Sequence, residues 1–112
     1  MTAAAILRHW QKVAELGCII TRRPAEIAHA HGGSLLDTGI YRAKGKKPND
    51  YLVLPLCPEL HRLDKDSLDL GVRAWEAKHG TQVNWLDHLS RRLGYNVWKL
   101  AGIDRTVPGI AE

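Results

Sequence analysis

Phenylalanine is missing from this chain of 112 residues, so four Trp and three Tyr must supply the bulky packing of its core. No apolar run approaches the ~20 residues a membrane span needs. Arg8, His9, Gln11 and Lys12 interrupt the apolar positions near the start too early for a secretory signal. Two cysteines without an export signal point to reduced thiols in a cytosol rather than to a disulfide framework. There is no internal repeat, and the only compositionally biased segment is a short basic loop. The length suits one small domain with a single core. The formal net charge of +4 favours a polyanionic partner without establishing one.

Taken in order, Ala3 to Leu16 has the spacing of an amphipathic helix. Ile6, Leu7, Trp10, Val13 and Ala14 are expected inward, Arg8, Gln11, Lys12 and Glu15 outward, with Gly17 as the stop. Cys18-Ile19-Ile20 and Ala25 to His29 read as the two strands of a hairpin about Thr21-Arg22-Arg23-Pro24. Leu35 to Asp50 has little periodicity, and a loop of that length in a compact domain is usually functional or disordered. Arg42, Lys44, Lys46 and Lys47 cluster in it and suit a phosphate backbone, although a solvated basic loop explains them equally well.

Tyr51 to Leu54 is the clearest strand, bounded by Asp50 and Pro55, and a short helical segment carrying Cys57 and His61 follows. Asp66-Ser67 is expected to cap a helix from Leu68 to His79, with Leu68, Val72 and Trp75 buried and Asp69 paired to Arg73. A further helix is expected from Trp85 to Leu93, capped by Asn84. One or two helical turns over Asn96 to Ala101 and a loose tail after Gly102 complete the chain. The predicted class is α+β in one domain, 1–112: an N-terminal helix over 1–17, a core over 18–80 and a helical extension over 81–112.

Histidines set before a long polar loop, with another just after the next strand, have the layout that HNH-type nuclease chemistry requires. Phosphodiester hydrolysis needs an activated water and stabilisation of developing charge, which a histidine base and one divalent cation supply. The candidate bases are His29 and His31; whether both serve one site depends on where the strand ends. The candidate ligands are His61 with a carboxylate, Asp69, Asp66 or Asp64. Such a set accepts Mg²⁺, Mn²⁺ or a later transition ion. Cys18, Cys57 and His61 fall short of the four ligands of a closed structural zinc site, so both cysteines are read as buried and inert.

From Gly17 to about Gly80 the chain resembles the Ref-like HNH endonucleases of phages and prophages, in the ββα-metal (His-Me finger) group. The residues that carry the likeness are C-I-I-T with P-A-E-I-A-H, the block G-K-K-P-N-D-Y-L-V-L-P-L-C-P-E-L-H, and W-E-A-K-H-G. The resemblance implies a ββα-metal core with a long loop between its strands, and metal-dependent DNA cleavage in phage recombination, with a link to a RecA-type recombinase. By position it makes His29 the general base and His61 a metal ligand. Where relatives carry His-His this chain has Ala28-His29, and His31 or Glu26 can take the vacated ligand role; a later family histidine falls at Asp69. The alternative is a catalytically degenerate relative that binds DNA or a recombination protein without cutting.

Overall fold

The computed structural model describes residues 2–40 and 49–110. Helix α1 spans Ala3–Glu15, where the Thr2 hydroxyl accepts the Ala5 N–H and caps it; such a cap stabilises by about 1 kcal/mol. Val13 is buried as the spacing predicts, but Leu7 is exposed and His9 is buried in its place. Polar partners explain the exchange. The His9 Nε2–H donates to the Tyr51 carbonyl at 3.1 Å, and Nδ1 accepts from the Tyr95 hydroxyl at 2.8 Å. A carbonyl only accepts, so this pair of partners fixes the neutral tautomer.

Strand β1 is Glu26–His29, and its partner is not the expected Cys18–Ile20 but β2, Val53–Leu56, paired antiparallel across the long connection. Cys18 to Arg23 forms a tight turn instead. The Cys18 N–H donates to the Arg23 carbonyl, the Cys18 carbonyl accepts from Arg22, and Arg22 adopts a left-handed φ of 66°. The register sets Glu26 opposite Leu56 and His29 opposite Val53.

Pro55, expected to end the strand, lies inside it. It stands opposite Ile27, while Ala30 N–H bonds the Leu52 carbonyl just beyond the strands. Pro55 therefore occupies a non-hydrogen-bonded position, where its missing N–H costs β1 nothing. Its carbonyl faces the outer edge and accepts from Ile19 at 2.9 Å.

Short helix α2, Ser34–Asp37, opens the connection within the stretch read as irregular. After β2 comes a single π-helical turn, Glu59–Leu63, closed by Asp64 N–H on the Glu59 carbonyl. Helix α3 is Val72–His79, starting four residues later than expected and capped by Gly71 rather than by Asp66-Ser67. The cause is local: the N–H groups of Leu68 and Asp69 donate to the carbonyls of Leu60 and His61, so this stretch folds back on the π turn. Asp66 pairs with Lys78. Arg73 pairs with Asp37 and not with Asp69.

Helix α4, Gln82–Leu93, is capped by the Thr81 hydroxyl instead of Asn84 and ends at left-handed Gly94. Helix α5, Val97–Leu100, forms within the expected stretch and is capped by the Asn96 side chain. The segment after it is packed rather than loose, because Val107 is buried and Arg105 pairs with Asp87, which also accepts from the Trp98 indole at 2.8 Å.

Among the described residues the class is α+β: a small two-stranded antiparallel sheet among helices, around a core that includes Val13, Ala28, Leu54, Leu56, Trp75, Leu86 and Trp98. Among the described residues no helix is long and apolar enough to cross a membrane.

Candidate functional site

Alternation along β1 sends Glu26 and Ala28 to one face and Ile27 and His29 to the other. His29 meets α1, its ring edge-on to Trp10 at 5.6 Å between centroids. Its Nε2 lies 2.9 Å from Asp50 Oδ1. An ionised carboxylate only accepts, so Nε2 carries a proton, and in the neutral ring the lone pair is on Nδ1. The Trp10 indole donates to the Asp50 carbonyl at 2.8 Å and holds the backbone that presents this carboxylate. His29 is about one-third exposed, which leaves the ring open to solvent.

Glu26, on the other face, reaches the π turn. Its Oε1 accepts from His61 Nδ1 at 2.6 Å and from Arg62 Nε at 2.7 Å. The Arg62 guanidinium, and after it the His61 ring, hold the Glu26 carboxyl below its ordinary value of 4.5. His61 Nε2 then lies 3.2 Å from Asp69 Oδ2. The other oxygen of Asp69, Oδ1, faces His31 Nε2 at 3.0 Å. One carboxylate thus receives two imidazole nitrogens. Asp69 is carried there by its own N–H on the His61 carbonyl, the contact that delays α3.

His31 diverges from His29 because β1 ends at His29, and the buried Ala30 between them bonds to Leu52. The His31 backbone is clamped from α4. Gln82, fully buried, accepts the His31 N–H at 2.9 Å and donates to the His31 carbonyl at 2.9 Å. Glu76 secures that clamp: its carboxylate accepts from the Gln82 N–H and side chain, and from the Ser34 N–H and hydroxyl. Gly33 approaches Glu76 so closely that a Cβ there would overlap the carboxylate.

The predicted residues therefore form two constellations. His61, Asp69 and His31 come together, oriented by Glu26, while His29 stands with Asp50 and Trp10. Among the described residues no three ligating side chains stand as a ready-made cation site; the donors face one another instead. Arg42, Lys44, Lys46 and Lys47 lie outside the described residues. Asp66 is committed to Lys78, so of the alternative carboxylates it is Asp69 that meets His61. Cys18 and Cys57 are buried free thiols. Burial pushes the Cys18 thiol up, but donors from Thr21 and the Cys57 backbone outweigh it and hold the thiol below its ordinary value.

Sequence reasoning missed Asp50, Gln82 and Glu76. Asp50 carried a signal, as the polar residue just before the clearest strand. Gln82 and Glu76 carried none, because a helical Gln or Glu reads as a solvated position until the tertiary fold buries it.

The donor set fits a divalent cation on chemical grounds. With its Nδ1 proton on Glu26, a neutral His61 turns the Nε2 lone pair toward an oxygen of Asp69, also a lone pair. A ring proton or a cation relieves that opposition. The carboxylate behind Nδ1 is the usual outer partner of a metal-binding imidazole.

No curated protein and no solved structure matches the chain. The family profile of DUF968, described as a protein of unknown function, matches residues 5–94, from within α1 to the glycine that ends α4, and the chain belongs to that family.

Proposed function

We propose that this protein is a metal-dependent endonuclease of the HNH type, with β1, β2 and the π turn as a ββα-metal core, acting on DNA in phage or prophage recombination. The observation that carries the reading is the convergence of His31 and His61 on one Asp69 carboxylate, with Glu26 behind His61. His61, Asp69 and His31 would hold one divalent ion, which when bound supplies positive charge against the phosphate and the leaving oxygen. His29, its Nε2–H fixed on Asp50, has Nδ1 free to take a proton from water. The site is partly exposed, as an extended substrate requires, and the loop carrying Arg42, Lys44, Lys46 and Lys47 would contact phosphate.

A second reading, a degenerate relative that binds DNA or a RecA-type recombinase without cutting, draws support from the separation of His29–Asp50 from His61–Asp69–His31. The test incubates purified protein with supercoiled plasmid and Mg²⁺, Mn²⁺, Ni²⁺ or EDTA in turn, beside His29→Ala and His61→Ala. Metal-dependent cleavage lost in both variants establishes the nuclease. Salt-sensitive retardation of the plasmid without cleavage selects the second reading.

A further inference from the structure

Away from these histidines, a cavity of about 560 Å³ opens between α1 and the α4–α5 connection. Arg8 and Lys12 from α1 and Lys99 from α5 line it together with Tyr95, Ala5 and Leu100, and no carboxylate lines it among the described residues. Arg8 and Lys12 stand four apart on one helix, a spacing at which like charges repel. Neither has an ion-pair partner among the described residues, and the Lys12 ammonium lies 5.5 Å from the centre of the Tyr95 ring.

Tyr95 is fixed as a wall. Its hydroxyl donates to the buried His9, whose other nitrogen is held by the Tyr51 carbonyl, so the ring cannot turn away. One flat aromatic face, apolar neighbours and cations at the edge make a surface for a ligand that is flat and apolar in one part and anionic in another. Basic grooves with aromatic platforms bind nucleotides in this way. The volume lies within the range of small-ligand sites.

We infer that this cavity is a nucleotide site, with the phosphate on Arg8 and Lys12 and the base against Tyr95 and Leu100. The nucleotide can come from a free mononucleotide or from the end of a nucleic-acid strand. The inference does not depend on the histidine site.

To test it, the ¹⁵N-labelled full chain is titrated with inorganic phosphate, with dAMP, and with a 5′-phosphorylated trinucleotide, following amide shifts. Expected are shifts at Ala5, Arg8, Tyr95 and Leu100, with dAMP binding about tenfold or more tighter than phosphate. R8E/K12E should weaken dAMP by about tenfold or more while its response to Mn²⁺ at His61 stays that of wild type. R8A alone should weaken it in the same direction and keeps the test valid if the double reversal unfolds α1. A trinucleotide tighter than dAMP supports the site and assigns it to a strand end; equal affinities support it and assign a free nucleotide. Shifts elsewhere, dAMP no tighter than phosphate, or undiminished binding by R8E/K12E and R8A overturn the inference.

Discussion

Replacing Gln82 with Leu tests how the loop after β1 is held. The substitution keeps the volume of a fully buried side chain but removes both bonds to His31, leaving its N–H and C=O facing an apolar group. Each buried backbone group left unpaired costs about 1–3 kcal/mol. Glu76 keeps its bonds to Ser34 and to the Gln82 N–H, so its contribution largely survives. Both His31 groups are only part-buried, so the expected loss lies in the lower part of the range for two groups, about 2–4 kcal/mol. For a domain of this size that lowers Tm by roughly 10–20 °C. Urea denaturation followed by Trp fluorescence reads it as a lower midpoint at unchanged slope. Gln82→Glu would set a buried carboxylate against the His31 carbonyl and the Glu76 carboxylate, and should cost at least as much as Gln82→Leu. A loss below about 1 kcal/mol for Gln82→Leu would refute the claim that α4 holds His31.

Three further outcomes follow from the same geometry. Glu26→Ala removes the acceptor behind His61 and should weaken Mn²⁺ binding, measured by titration calorimetry, by about 10–100-fold; unchanged affinity would remove Glu26 from the site. Gly33→Ala forces a residue with φ of 49° into Glu76 and Val72 and should destabilise by about 3 kcal/mol or more, read by thermal unfolding. Burial, foremost, lowers the pKa of His9, His79 and His88 below the ordinary 6.5. Protons therefore favour the unfolded chain, and the share of stability from these rings is full above pH 6.5 and falls as pH drops below it. His9→Gln should flatten a plot of Tm against pH in that window, and a Tm that rises on acidification there would contradict the assignment.

What could be read from the residues was whatever their own neighbours determine. The span of α1, the end of α4 at Leu93 and the helical turn after Asn96 follow from spacing and local residue type. The partner of β1 could not be read in this way: a nearby apolar run, Cys18–Ile20, looked like a hairpin arm, and only the fold shows that the pairing is to Val53–Leu56. Pro55 misled because its effect depends on which edge its nitrogen faces. The start of α3 was lost to hydrogen bonds from Leu68 and Asp69 to the π turn, and these same bonds deliver Asp69 to His61. At the candidate site, His61, His31 and Asp69 were legible as residue types in a pattern. The supports behind His61 and His31, from Glu26 and Gln82, are contacts between residues 35 and 51 positions apart, and no local rule encodes those.

The pairing of β1 with β2 has a consequence for how the site comes into being. Glu26–His61, His29–Asp50, His31–Asp69, His31–Gln82 and Ser34–Glu76 each join a residue no later than Ser34 to one no earlier than Asp50. Cutting the chain between Ser34 and Asp50 would leave two fragments with complementary halves of each of these pairs. The site is thus a property of the closed topology, absent from a nascent chain until β2 and the helices beyond it have been made. Lengthening the connection should be cheap, about 0.6 kcal/mol for each doubling. Evolution could therefore vary what lies between the strands while the two halves continued to find each other.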